Sequence, residues 1–234
     1  MPTKKTDGMK KSLISTGIVG LDEALGGGMV KNHSILLCGP PGAGKTTLAF
    51  QLLHHGAKNL DEPGAFISFD EEKEKLLANI DSFGLDLGPL ENENLIHIQK
   101  VGALEIQQFA SQESILVIEI IRALKAKRVV IDSLTTYELM FKHDYERMLY
   151  IRRLIEEVIN QDCTFIATSE STPGKITRFQ IAEFIFDTVI YLDIDPSSNT
   201  NRTIRIIKNR GCKHRFAKSP MSITPRGIEV YPPK

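Results

Sequence analysis

The chain has 234 residues, 41% hydrophobic and 25% charged, which is enough apolar material for a sizeable buried core and excludes global disorder. Its 29 basic and 29 acidic residues cancel, so bulk charge does not direct it to nucleic acid or to a membrane surface. Three widely spaced cysteines (Cys38, Cys163 and Cys212) with no CxxC pair exclude a disulfide framework and a zinc-ligand pattern. Residues 1–11 read as a flexible, basic lead-in, and no apolar run approaches the roughly 18 residues needed to span a bilayer. The longest candidate, Ile115–Leu124, is interrupted by Glu119 and Arg122. A reducing cytosol is the expected compartment, and residues 12–234 the expected single domain.

Apolar runs then alternate with amphipathic stretches. Strands are predicted at Ser34–Cys38, Ala65–Phe69, Leu95–Gln99, Val129–Ile131 and Thr164–Thr168. Helices are predicted at Thr46–Gly56, Glu71–Phe83, Ser111–Lys127 and Tyr145–Asn160. Beyond Ile185 the pattern changes. Thr188–Asp193 and Thr203–Lys208 flank a turn-rich segment and read as a β-hairpin, as do Met221–Ile223 and Ile228–Tyr231 around Pro225-Arg-Gly227. The expected fold is α/β: a largely parallel, twisted sheet with helices on both faces and antiparallel strands at the C-terminal end.

Gly39-Pro-Pro-Gly-Ala-Gly-Lys-Thr46 fits G-x-x-x-x-G-K-[ST] and lies between a predicted strand and a predicted helix, as a phosphate-binding loop requires. Glycines let several backbone N–H groups face one anion, and the following helix adds its N-terminal dipole. Lys45 can reach β- and γ-phosphates, and the Thr46 hydroxyl can ligate Mg²⁺. Arg128-Val-Val-Ile-Asp-Ser133 is a β-branched run that delivers Asp132 to a strand end, where ligands of parallel sheets sit, so Asp132 can share the Mg²⁺ shell. Asp70-Glu71-Glu72 follows another strand. Asp70 and Glu71 could orient or deprotonate an attacking water, whereas Glu72 suits the first turn of a helix.

These residues resemble a known family. Ser15-Thr-Gly-Ile-Val-Gly-Leu-Asp-Glu-Ala-Leu-Gly-Gly-Gly28 is similar to the segment that precedes the loop in RecA/RadA-type ATPases. Phe69-Asp-Glu71, Ser82-Phe-Gly-Leu-Asp-Leu87, Ile207-Lys-Asn-Arg-Gly-Cys-Lys-His214 and Ile223-Thr-Pro-Arg-Gly-Ile-Glu-Val-Tyr231 resemble matching stretches of KaiC-type proteins. The likeness runs from about Ser12 to the end and is to the single-domain, archaeal KaiC-like branch of the RecA superfamily, one KaiC domain long.

The resemblance implies a RecA-like P-loop core in which Gly42, Ala43, Gly44, Lys45, Thr46 and Thr47 hold ATP. Gly39, Pro40 and Pro41 complete the loop. The paired catalytic glutamates of KaiC fall on Asp70 and Glu71, and the shorter Asp70 favours Glu71 as the catalytic carboxylate. Ser82 matches a position near the base, and His214 a further nucleotide contact. Lys208 and Arg210 match cations that KaiC-like rings insert into the neighbour's ATP site, where they would stabilise charge on the γ-phosphate in trans. Pro225 and Lys213 depart from the family pattern at the edge that would recognise base or ribose. Thr168, Ser169 and Glu170 stand where RecA proteins sense the γ-phosphate, and are equally suited to capping.

Other residues carry blander readings. Adjacent His54 and His55 point about 100° apart on a helix and read as solvated. Cys38 reads as a small buried residue. Lys208–Lys218 contains five cations and no acid, so phosphate contact across an interface is weighed against a solvated face. Lys142, Lys175 and Arg178 are too few for a tight single-stranded DNA grip, and Phe141 and Phe179 suit packing better than base stacking. The expected function is Mg²⁺-dependent ATP hydrolysis by a regulatory or signalling ATPase, acting as a homo-oligomeric ring, most naturally a hexamer, with an unnamed protein partner. The alternatives are a nucleotide-dependent interaction module with negligible turnover and a DNA-recombinase paralogue. Autokinase activity is a further implication of the resemblance.

Overall fold

The computed structural model describes residues 12–102, 115–197 and 200–233. The lead-in at 1–11 and the start of the helix expected at Ser111–Lys127 lie outside the described residues.

The chain opens with β1 (Leu13–Ile14), α1 (Leu21–Ala24) and β2 (Met29–Val30), with β1 and β2 paired antiparallel. The core follows: β3 (Ser34–Gly39), α2 (Lys45–Asn59), β4 (Gly64–Ser68), α3 (Lys73–Asp81), α4 (Gly88–Asn92), β5 (Ile96–Lys100), α5 (Ile115–Leu124), β6 (Arg128–Asp132), α6 (Leu134–Glu138), α7 (Asp144–Ile159) and β7 (Thr164–Glu170). It ends with α8 (Ala182–Ile185), β8 (Thr188–Ile194), β9 (Arg202–Asn209), β10 (Ser219–Thr224) and β11 (Gly227–Val230).

Among the described residues, nine strands form one sheet in the order β11-β10-β9-β8-β3-β7-β6-β4-β5. The six strands from β8 to β5 are parallel, and β9, β10 and β11 are antiparallel. Both expected hairpins are present. The inner parallel strands are largely apolar on both faces because both are covered, whereas the edge strand β5 alternates buried Ile96 and Ile98 with exposed His97. Ile35, Leu37, Phe66, Val130 and Ile166 face the helix α2 side, where Phe50 stacks on Phe66 with ring centroids 3.9 Å apart. Leu36, Cys38, Ile67, Val129, Ile131 and Phe165 face the opposite layer, with Val117 of α5 and Ile151 and Leu154 of α7.

Two expectations are corrected. The helix expected over Glu71–Phe83 begins only at Lys73, because the Ser68 hydroxyl takes the Glu71 N–H (2.9 Å) and donates to the Glu71 carbonyl (2.8 Å), which holds residues 69–72 in a bend. His54 and His55 are half-buried rather than solvated. A Cβ on Gly17 would lie 2.1 Å from the His55 ring, so the loop rests directly on that histidine, and burial lowers its pKa.

Candidate active site

β3 feeds the loop Gly39–Gly44, which turns into α2. Gly44 has φ +104°, a conformation that side chains avoid, and a Cβ there would lie 2.9 Å from Ile223. This turn aims the N-terminus of α2 at the carboxyl end of the sheet, where a cavity of about 370 Å³ opens. Loop residues Pro41 and Gly42 line it together with Lys45, Thr46, Asp70, Glu71, Asp132, Ser133, Thr136, Glu170 and Arg178.

The sheet order explains the convergence. β7 lies beside β3, β6 beside β7 and β4 beside β6, so the ends of four strands meet at one edge of the cavity. Lys45 Nζ donates to the carbonyls of Gly39 (2.9 Å) and Pro40 (3.1 Å). Burial lowers its pKa, and the nearby Asp132 and Glu170 pull the other way. The Thr46 hydroxyl donates to Asp132 Oδ2 at 2.7 Å, and the Thr168 hydroxyl donates to Oδ1. Burial pushes the Asp132 carboxyl above its ordinary range, and these two hydroxyls oppose the rise. The peptide bond from Asp132 to Ser133 is cis.

Asp70 and Glu71 differ in their restraint. Asp70 Oδ1 accepts a 2.6 Å hydrogen bond from the Thr136 hydroxyl. The Glu71 side chain is 39% exposed, with Lys75 Nζ 3.5 Å away. Glu71 is thus paired with a lysine of α3 at the cavity wall, while Asp70 is tied to α6.

Other expected residues lie elsewhere. Ser82 is exposed, its hydroxyl on the Asn79 carbonyl at 2.8 Å, and it does not line the cavity. Lys208 Nζ donates to the Glu183 carbonyl at 2.6 Å, and Arg210 Nη2 to the Phe184 carbonyl at 2.8 Å. Both are thus held on α8, outside the cavity lining, beside a Phe184 that is 71% exposed. Burial, then the Arg210 charge, lowers the Lys208 pKa to about 8. His214 sits in the segment whose Arg215 N–H donates to Ala24 (2.8 Å), while the Pro225 carbonyl would lie 2.7 Å from a Cβ on Gly84. Within the basic 208–218 segment, Arg215 pairs with Glu23 and Lys218 with Asp193 and Asp195. Phe141 is buried and stacked on Tyr150, and Phe179 lies under the Arg147 guanidinium, 4.2 Å from its centre. Cys38 is buried.

Sequence reasoning missed α6. It begins at the N-cap Ser133, sends the Thr136 hydroxyl to Asp70, and puts the Thr135 hydroxyl against the Glu170 N–H (2.9 Å) and Ser169 (3.2 Å). The available signal was the hydroxyl run Ser133-Leu-Thr-Thr136 directly after Asp132. α6 ends at Glu138, which is 0% exposed and has no hydrogen-bond partner on either carboxylate oxygen among the described residues. Burial, then the Glu183 charge, raises its pKa to about 8, against the pull of Arg147. The native state therefore keeps a proton on Glu138 that the unfolded chain gives up above about pH 4.5. Stability falls as pH rises from that value to about 8, and the penalty is constant above it. Between pH 5 and 8, denaturant titrations should show the stability difference shifting by a few kcal/mol in favour of Glu138→Gln, which cannot ionise.

Loop, hydroxyl and aspartate meet where the parallel strand order reverses, the place at which doubly wound sheets take nucleotides, and the class so defined is that of the P-loop ATPases with a RecA-like core. The chain belongs to the KaiC ATPase family: the family described as "ATPase: KaiC" matches residues 14–234. It is similar to a circadian clock oscillator protein KaiC of Prochlorococcus marinus (32% identical over 236 residues, 95% of this chain and 46% of that protein). It is also similar to KaiC of a Picosynechococcus species, with 34% identity over 246 residues, 99% of this chain and 47% of that protein. The chain thus spans about half the length of these relatives. Among solved structures, a KaiC-like protein from the archaeon Pyrococcus horikoshii superposes with a TM-score of 0.83 at 33% identity, covering 95% of this chain and all of that one. No helix among the described residues is long and apolar enough to cross a membrane.

Proposed function

We propose that the chain, with residues 12–234 as one ATPase domain in the cytosol, hydrolyses ATP to ADP and phosphate in an Mg²⁺-dependent reaction. The observation that carries this reading is the Thr46–Asp132 hydrogen bond beside Lys45, facing Glu71 across one cavity. The donor set fits Mg²⁺: a hydroxyl and a carboxylate are hard oxygens, and a cation that keeps most of its shell for phosphate and water needs few protein ligands. Thr46 and Asp132 would hold it, and when bound it neutralises charge on the β- and γ-phosphate oxygens.

The chain's own residues do the rest. Backbone N–H groups of Gly42–Thr47 receive the phosphates at the α2 N-terminus. Lys45 sets its ammonium against the β- and γ-phosphates. Glu71 orients a water in line with the γ-phosphorus and takes its proton as the new P–O bond forms and the bond to ADP breaks. Asp70, fixed by Thr136, holds the wall beside it. Glu71→Gln should lower turnover by about 10²–10⁴-fold while ATP binding persists, as read by steady-state phosphate release beside nucleotide binding. Unchanged turnover would remove Glu71 from the reaction.

The side chains of Lys208, in β9, and Arg210, just after it, are held together against α8, away from the chain's own cavity, which supports their acting on a neighbouring copy in a ring, with ring assembly serving a regulatory role toward a partner. Specific activity should then fall on dilution as the assembly dissociates. Activity per chain that stays constant down to demonstrable monomer would sink the trans assignment.

A further inference from the structure

We propose that Arg178 is a γ-phosphate ligand acting from the same chain that supplies the phosphate-binding loop, a role that rests on the ATPase reading above. Strand β7 lies between β3, which feeds the loop, and β6, which ends in Asp132. Its last residue, Glu170, is level with Gly39 in the β3–β7 ladder, and the next N–H, of Ser171, donates to the Gly39 carbonyl at 3.1 Å. The chain leaves the sheet there and comes back: the Arg178 N–H donates to the Glu170 carbonyl at 2.9 Å. That return puts Arg178 in the cavity wall, over the interval between loop and aspartate where the terminal phosphate of a bound triphosphate belongs.

The return is held on both sides of Arg178. The Thr177 hydroxyl accepts from the Gln180 N–H at 3.0 Å and donates to Glu183. Phe179 is clamped under Arg147, whose guanidinium is itself fixed on the carbonyls of Glu138 (3.0 Å) and Phe141 (2.5 Å). The Arg178 side chain, in contrast, stays exposed, makes no salt bridge among the described residues, and has only the Phe179 ring beneath it at 5.8 Å. Its planar set of donors is positioned to turn onto phosphate oxygens, which guanidinium binds bidentately.

Charge balance points the same way. Four carboxylates line the cavity (Asp70, Glu71, Asp132 and Glu170) against two cations, Lys45 and Arg178. A triphosphate adds negative charge, and Lys45 sits at the loop end, on the carbonyls of Gly39 and Pro40. Arg178 is the remaining lining cation, available to the charge that builds on the γ-phosphate oxygens during transfer. An arginine supplied in cis is an established solution to that demand in P-loop proteins.

The test is calorimetric binding of ADP and of the non-hydrolysable β,γ-imido analogue of ATP to the full chain, with Arg178→Ala and Arg178→Lys beside the wild type. The wild type should prefer the triphosphate analogue. Arg178→Ala should weaken the analogue by about 10–100-fold, the scale of a lost hydrogen bond to a charged group, and leave ADP within about twofold. Arg178→Lys should recover part of the preference. Equal weakening of both nucleotides, or none, overturns the proposal. Loss of the preference only at protein concentrations where chains associate overturns the same-chain assignment. A wild type that binds neither nucleotide overturns the ATPase reading itself, a result visible before any variant is made.

Discussion

Lys45→Ala is expected to lower Mg²⁺-ATP turnover by about 10³-fold. Removing a single preorganised donor from a transition-state anion site costs on the order of 10²–10³ in rate, and Lys45 carries a full charge in a part-buried site, where it is worth more than in water. Its ammonium is already oriented by the Gly39 and Pro40 carbonyls at 2.9 and 3.1 Å, so little reorganisation is needed to face a phosphate. Burial works against the charged form, and Asp132 and Glu170 support it. Lys45→Arg should fail nearly as badly, because a planar fork cannot replace a compact point charge in that cradle. Phosphate release and the thermal midpoint should be measured together. A variant that melts like the wild type and is inactive supports the assignment, and one that keeps turnover moves hydrolysis out of this cavity.

Arg128→Ala is expected to destabilise the fold by about 3–5 kcal/mol, the cost of leaving a buried charge without its partner. The Arg128 side chain is 0% exposed at the start of β6. Nε donates to Glu62 at 2.7 Å, Nη1 to the Leu52 carbonyl at 2.6 Å and Nη2 to the Ser15 carbonyl at 3.4 Å, so one guanidinium joins three segments. Gly56 is bare where the guanidinium crosses α2: a Cβ would lie 2.6 Å from Nε. Gly56→Ala should therefore also destabilise, by overpacking. The pair Arg128→Met with Glu62→Gln should recover most of the loss, since neutral side chains at both positions remove the desolvation penalty of the charges along with their attraction. Urea titration reads all three. Arg128 and Asp132 stand at opposite ends of a five-residue strand, roughly 13 Å apart, so nucleotide affinity of the folded protein should change little. A large affinity change would couple this ion pair to the site.

Much of the core was legible because its signals are local. Each inner parallel strand is built on a short β-branched or apolar run, and burial on both faces makes such runs continuous rather than alternating, as in Ile35-Leu-Leu-Cys38 and Val129-Val-Ile131. The two-residue strands β1 and β2 and the five-residue α6 are too short to show a period. Arg128 stands just outside the strand predicted at Val129–Ile131, and nothing in its neighbourhood reports a glutamate 66 residues earlier. The Glu71 bend was hidden for a similar reason: acids before an amphipathic run suit a first helical turn, and only the Ser68 hydroxyl shows that the backbone is held out of it.

The sequence by itself determined the glycine-rich cradle between β3 and α2, since glycine torsions, a strand end and a helix start all lie within eight consecutive residues and need no distant partner. It also carried the family likeness, which the match over residues 14–234 bears out. Only the tertiary structure decided which side chains meet that cradle. Strand order sets β7 beside β3 and β6 beside β7, and that order brings Asp132 onto Thr46 from 86 residues away and Thr136 onto Asp70 from 66. It sends Lys208 and Arg210 to α8 and returns Arg178 to the cavity wall. Parallel pairing forces each strand to be joined by a long crossover, so neighbours in the sheet are remote in the chain, and their meeting is a property of the packed layers rather than of any local run.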